Sequence, residues 1–126
     1  MNRFVIERKE GMYHKDLDVW KESIKLVKEI YTITKDFPSS ELYGLTNQMR
    51  RCAVSIPSNL AEGSARFSNK DKIRFIEISL GSLAELETQI IISQELKFIK
   101  EGNQTLEQIK RLNAMYMGLI NHLKNS

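Results

Sequence analysis

From Leu17 almost to the end of the chain, apolar residues recur every third or fourth position, which predicts amphipathic helices rather than strands. In the first helix, Leu17, Trp20, Ile24, Val27, Tyr31 and Thr34 form one stripe. Val19, Leu26, Ile30, Ile33 and Phe37 form a second beside it. Two adjacent stripes give the wide apolar face of a bundle helix, or of a helix that also meets another subunit. Lys21, Lys25 and Lys28, interspersed with Glu22 and Glu29, fill the remaining side and read as a solvated face. Asp16 is placed to cap this helix.

Asp36-Phe37-Pro38-Ser39-Ser40 ends the first helix, because the residue before a proline is pushed away from helical geometry. The second helix is expected from Glu41 to Gly63, with Leu42, Leu45, Met49, Cys52, Ile56 and Leu60 on its buried side. Arg51, Ser55, Ser58 and Glu62 make a polar stripe between them. Pro57 has no N–H for the carbonyl of Ala53, so a kink is expected there, with Ser55, Ser58 and Asn59 near the freed groups. Gly63 is placed for a left-handed stop.

Ser68 and Asp71 have the spacing of a capping box that opens the third helix. Its inner stripe is Ile73, Ile76, Leu80, Leu83 and Ile90, with Phe75, Ser79 and Leu86 close beside it, while Gly81, Ser82 and Ala84 are small enough for close helix approach. Glu87 falls between Leu83 and Ile90. A carboxylate there needs a partner, and Arg50 and Arg51 on the second helix are the expected ones. Leu96 to Gly102 forms a turn that tucks in Phe98 and Ile99. Asn103 or Thr105 then caps a fourth helix carrying Leu106, Ile109, Leu112, Tyr116, Leu119 and Leu123. The pattern predicts an all-α, antiparallel up-down-up-down four-helix bundle over residues 16–126, preceded by an arm over residues 1–15. In the arm, Phe4, Val5 and Ile6 could dock on a neighbouring surface, or the segment could be a disordered leader.

Composition narrows this little. A chain of 126 residues suits one domain with a continuous core. The formal charge of +3 and a pI near 9.0 favour polyanions without demanding them. Cys52 is the only cysteine, so no disulfide can form within the chain, and its place on the apolar stripe is that of a small core residue. No signal-peptide pattern and no apolar run of roughly 20 residues is present, which leads to the expectation of a cytoplasmic protein without a membrane partner.

Catalytic signatures are missing. A di-iron bundle takes Glu-x-x-His from two of its helices, and neither His14 nor His122 has a glutamate three residues before it. No Gly-x-Ser-x-Gly elbow or Gly-rich phosphate loop occurs. The expectation is a non-enzymatic protein with no metal and no cofactor. Arg66, Lys70, Lys72 and Arg74 cluster instead around the turn into the third helix, where side-chain charge and free amides could receive phosphate. A solvated loop is the competing reading. Phe67 is the one aromatic residue in that corner.

Leu42-Tyr43-Gly44-Leu45-Thr46, Gln48-Met49-Arg50-Arg51, Ser55-Ile56-Pro57-Ser58-Asn59 and Ala61-Glu62-Gly63 resemble the signature of the bacterial proteins encoded in intervening sequences of 23S ribosomal RNA genes. Asp16-Leu17-Asp18-Val19-Trp20 and the run from Gly81 to Gln89 extend the resemblance over roughly Lys15 to Ile99. That family is similar in fold to the accessory proteins of diversity-generating retroelements. The resemblance implies a four-helix bundle, assembly into a homo-oligomer, with a homopentamer expected, and an association with nucleic acid. The functional expectation is a scaffold or adaptor that binds RNA, DNA or a nucleoprotein weakly through charge. The alternative is an oligomeric protein-interaction scaffold with no nucleic-acid ligand.

Overall fold

The computed structural model describes residues 7–8 and 11–126. The apolar arm residues Phe4, Val5 and Ile6 lie outside the described residues. A two-residue antiparallel ladder pairs β1 (Glu7–Arg8) with β2 (Gly11–Met12), and a 3-10 turn over His14–Asp16 leads into the helices. Four helices follow: α1 (Asp18–Thr34), α2 (Asn47–Ser64), α3 (Asn69–Glu95) and α4 (Asn103–Lys124).

Neighbouring helices meet with their chains running in opposite directions. On α1 and α2, His14 just before α1 reaches Ser64 at 3.3 Å, while Thr34 receives the Arg50 Nε–H at 2.9 Å. On α2 and α3, Ser55 meets Ser82 at 2.8 Å, whereas Met49 meets Ser93 at 3.5 Å. On α3 and α4, Asn69 donates to the Leu123 carbonyl at 3.0 Å, and Leu83 shares a crevice with Leu106 and Ile109.

The core is continuous. Leu26 and Ile30 of α1, Met49, Ile56 and Leu60 of α2, Ile76, Leu83, Leu86 and Ile90 of α3, and Leu112, Tyr116 and Leu119 of α4 are buried in one cluster. On α1 the second of the two sequence stripes, Val19, Leu26 and Ile30, faces this core. Of the first, Leu17 and Thr34 at its two ends are buried, while its middle turns outward. Ile24 and Tyr31 are exposed, and Trp20, Ile24 and Val27 line an open apolar groove with Val54, Pro57 and Ala61 of α2. One hydroxyl lies where all four helices converge. Ser23 Oγ of α1 donates to the Val19 carbonyl at 2.7 Å, which leaves the buried Tyr116 hydroxyl of α4 to donate to Ser23, also at 2.7 Å. The same Tyr116 oxygen lies 3.4 Å from the Ile56 carbonyl of α2, which also accepts from Ser79 of α3 at 2.8 Å.

Several boundaries differ from the sequence reading. Leu17 is drawn wholly into the core, so it, not Asp16, occupies the position before α1, with no side-chain cap. The second helix does not start at Glu41. A 3-10 turn (Ser39–Glu41) and a wide helical turn (Leu42–Thr46) precede α2, and the backbone leaves helical geometry at Gly44, with φ −110° and ψ −115°. That break turns Leu42 outward, nearly half exposed, instead of onto the inner stripe. At Pro57 the helix is not interrupted: the proline is buried inside α2, which continues to Ser64. The polar groups around it serve other carbonyls, Ser58 that of Val54 and Asn59 that of Ser55, each at 2.8 Å. Gly63 is not a left-handed stop either. It is a point of close approach, where an added Cβ would lie 2.8 Å from Phe75 Cβ and 3.1 Å from the Lys72 carbonyl.

At the other helix ends, Ser68 caps α3 by accepting from Asp71 N at 3.1 Å, as its spacing predicts. The end of α3 closes with Phe98 N donating to the Ser93 carbonyl and Lys97 N to the Gln94 carbonyl, a Schellman arrangement with Lys97 at φ 63°. Phe98 then packs on Phe37, ring centroids 5.5 Å apart. Neither Asn103 nor Thr105 caps α4; Gly102 precedes it, and Thr105 is buried.

Candidate nucleic-acid interface

The connection from α2 to α3 is short because both helix ends are tied down locally. Ala65 N and Arg66 N return to the carbonyls of Glu62 and Gly63, and Ser68 then opens α3. The residues between have nowhere to bury. Phe67 is 85% exposed, and Arg66, Lys70 and Arg74 are exposed around it. The guanidinium carbons of Arg66 and Arg74 lie 4.8 and 5.3 Å from the centroid of Phe75, so one ring holds both cations on the same corner. Arg66 also meets Glu62 at 3.4 Å and Arg74 meets Asp71 at 3.9 Å; both pairs are open to solvent and weak.

Lys72 does not join this surface. It is only 4% exposed, because it precedes Ile76 by four residues and therefore lies on the inward stripe of α3. Its helical phase carries that information, whereas its nearness in sequence to Lys70 and Arg74 does not. The structure brings in another cation. Lys124 at the end of α4 lines, with Asn69, Lys70, Ile73, Arg74 and Leu123, a cleft of about 670 Å³ whose rim also carries Asp71 and Glu77. Asn69 ties the two helices together here, since its amide donates to the Leu123 carbonyl at 3.0 Å. Sequence patterning could not pair Lys124 with this corner, because they meet only once α4 returns along α3.

The expected pairing of Glu87 with Arg50 or Arg51 does not form. Successive helical residues are turned by about 100°, so Glu87 follows the buried Leu86 round to the α4 side of α3. There it is exposed beside Leu106 and Lys110, and no ion pair reaches it among the described residues. Arg50 turns the opposite way, donating to Thr34 and lying 4.7 Å from the Tyr31 ring centroid, while Arg51 is exposed. The polar contacts between α2 and α3 are made instead by small residues. Ser55 and Ser82 meet, and the Cys52 thiol donates to the Ser82 carbonyl at 3.1 Å. Burial, reinforced by the nearby Glu85 carboxylate, pushes that thiol up to about 12, so it is protonated and unreactive at neutral pH.

Among the described residues no group of three or more His, Cys, Asp or Glu side chains is placed to hold a metal ion. Among the same residues no helix is long and apolar enough to cross a membrane. The corner can offer positive charge, an exposed aromatic face and a concave surface. No curated protein matches the chain. The helical bundle and the signature residues of α2 and α3 agree with a family model that matches residues 15–118, and the chain belongs to the 23S rRNA-intervening sequence protein family.

Proposed function

We propose that the protein is a non-enzymatic, cytoplasmic, homo-oligomeric scaffold that holds RNA, DNA or a nucleoprotein weakly through charge. The observation that carries this reading is the gathering of exposed Arg66, Lys70 and Arg74 with Lys124 at one end of the bundle. A single corner of this kind binds weakly, since acidic neighbours offset part of its charge. Repeating it around a ring of subunits, for which five is the number the family resemblance favours, would turn modest attraction into useful avidity. The apolar groove of Trp20, Ile24, Val27, Val54 and Pro57 supports the oligomeric part of the proposal. It also favours the second reading, in which the scaffold serves only protein partners.

Size-exclusion chromatography with light scattering, at low and high salt and with a mixed RNA and DNA pool, tests both parts. The expected result is a stable oligomer that retains nucleic acid at low salt and releases it at high salt. Replacing Lys70, Arg74 and Lys124 by Glu should abolish retention and leave the oligomer intact. Lys72 is unsuitable for this test because it is buried. Retention that is insensitive to salt would reject the electrostatic mechanism. An oligomer that ignores nucleic acid at both salt concentrations would favour the protein scaffold.

A further inference from the structure

The corner between α2, α3 and α4 carries more than charge. An exposed phenylalanine has no packing role in this fold, yet Phe67 stands 85% exposed beside Arg66 and two residues before Asn69 at the lip of the cleft. Two residues of chain span at most about 7 Å, so ring and cleft are within reach of one small ligand. The cleft, about 670 Å³, falls in the size range of small-molecule sites, and the partly exposed Ile73 supplies apolar surface between Lys70, Arg74 and Lys124.

We propose that this corner receives unpaired nucleotides of a single-stranded nucleic acid, a reading that rests on the nucleic-acid function proposed above and makes it more specific. Phe67 stacks on one exposed base. The neighbouring nucleotide enters the cleft, with its phosphate at Lys70, Arg74 and Lys124 and its base against Ile73. A duplex fits this arrangement poorly. Its base faces are already stacked on one another, so the Phe67 ring would have no partner. The carboxylates of Asp71 and Glu77 would repel a continuous line of phosphates, but they can accept hydrogen bonds from the N–H groups of an unpaired base. Base stacking on an aromatic ring tolerates any sequence, which matches a corner without a fixed set of base-reading side chains.

The test is fluorescence anisotropy of the full chain at low salt with two labelled probes, an oligouridylate of about 12 nucleotides and an RNA duplex of equal length. The expected result is tighter binding of the single strand. Phe67→Ala should weaken binding of the single strand about tenfold and leave the duplex unchanged. Because Phe67 is exposed, an unchanged circular dichroism spectrum is expected and would exclude unfolding as the cause. Lys124→Gln should weaken the single strand as well. Equal, salt-sensitive binding of both probes, indifferent to Phe67→Ala, would overturn this inference while leaving the charged scaffold standing. Binding of neither probe would overturn both.

Discussion

Removing only the hydroxyl from the convergence point of the four helices, by Tyr116→Phe, asks how much that group contributes. The ring fills the same volume, so no cavity forms. Ser23 keeps its bond to Val19, and the Ile56 carbonyl keeps the one from Ser79, so no buried donor is stranded. The loss near neutral pH should therefore be that of one ordinary hydrogen bond, about 1 kcal/mol. Alkaline solution separates the variants further. Burial pushes the Tyr116 hydroxyl up to about 12, against its usual value of 10.0. The folded protein thus holds the proton at a pH where the unfolded chain has released it. This stabilisation is complete below about pH 10 and is lost as pH climbs toward 12, at about 1.4 kcal/mol per unit and so somewhat under 3 kcal/mol in all. Cys52, raised from 9.0 to about 12, acts with the same sign from a lower starting pH, so both proteins should be compared in a Cys52→Ala background. Urea unfolding followed by far-ultraviolet circular dichroism, near pH 7 and near pH 11, measures both effects. Tyr116→Phe should be the less stable of the pair near neutrality and lose less stability on going alkaline. A neutral-pH loss of about 3 kcal/mol or more, the scale of a cavity, would refute the reasoning, as would identical alkaline losses in both proteins.

Three smaller changes have equally definite expectations. Gly63→Ala should cost about 1–3 kcal/mol in urea unfolding, because the new methyl meets the Lys72 backbone and Phe75 Cβ at the α2–α3 contact. Lys97→Gly should stabilise the protein by roughly 0.5–1 kcal/mol, read as a rise in urea midpoint, because Lys97 bears the strain of a left-handed backbone at φ 63°. Glu87→Gln should change stability by no more than about 0.5 kcal/mol in the same assay; a loss of several kcal/mol would restore the buried ion pair that the structure does not contain.

Helical periodicity located the four helices, and the Ser68 cap marked the start of α3 from local chemistry alone. What periodicity could not do was rank two stripes of equal period on α1. Leu26 and Ile24 are alike in hydrophobicity, and only the neighbouring helices decide which is buried. Pro57 and Gly44 show a second limit. The proline lies inside a helix that runs on past it, while the break in helical geometry fell at a glycine that pattern alone did not distinguish from other helix residues. At the candidate site, three exposed cations of one turn were legible because they are close in sequence. Lys72 was misplaced for that same reason, although its spacing from Ile76 marked it as inward-facing. Lys124 and the cleft arise from tertiary contact and leave no local trace.

The seam between α2 and α3 also bears on the order in which the chain folds. Its contacts, Ser55 with Ser82 and Ser79 with the Ile56 carbonyl, join segments separated by one short turn, so they can form before α1 or α4 docks. Loop closure is least demanding for such local pairs, and they use small side chains that need little rotamer selection. The expected nucleus is therefore the α2–α3 hairpin. Substitutions at Ser79 or Gly63 should slow folding, whereas substitutions at Leu26 or Leu119 should mainly hasten unfolding. A hairpin that forms early would also set out the Arg66–Arg74 corner before the remaining helices close over the core.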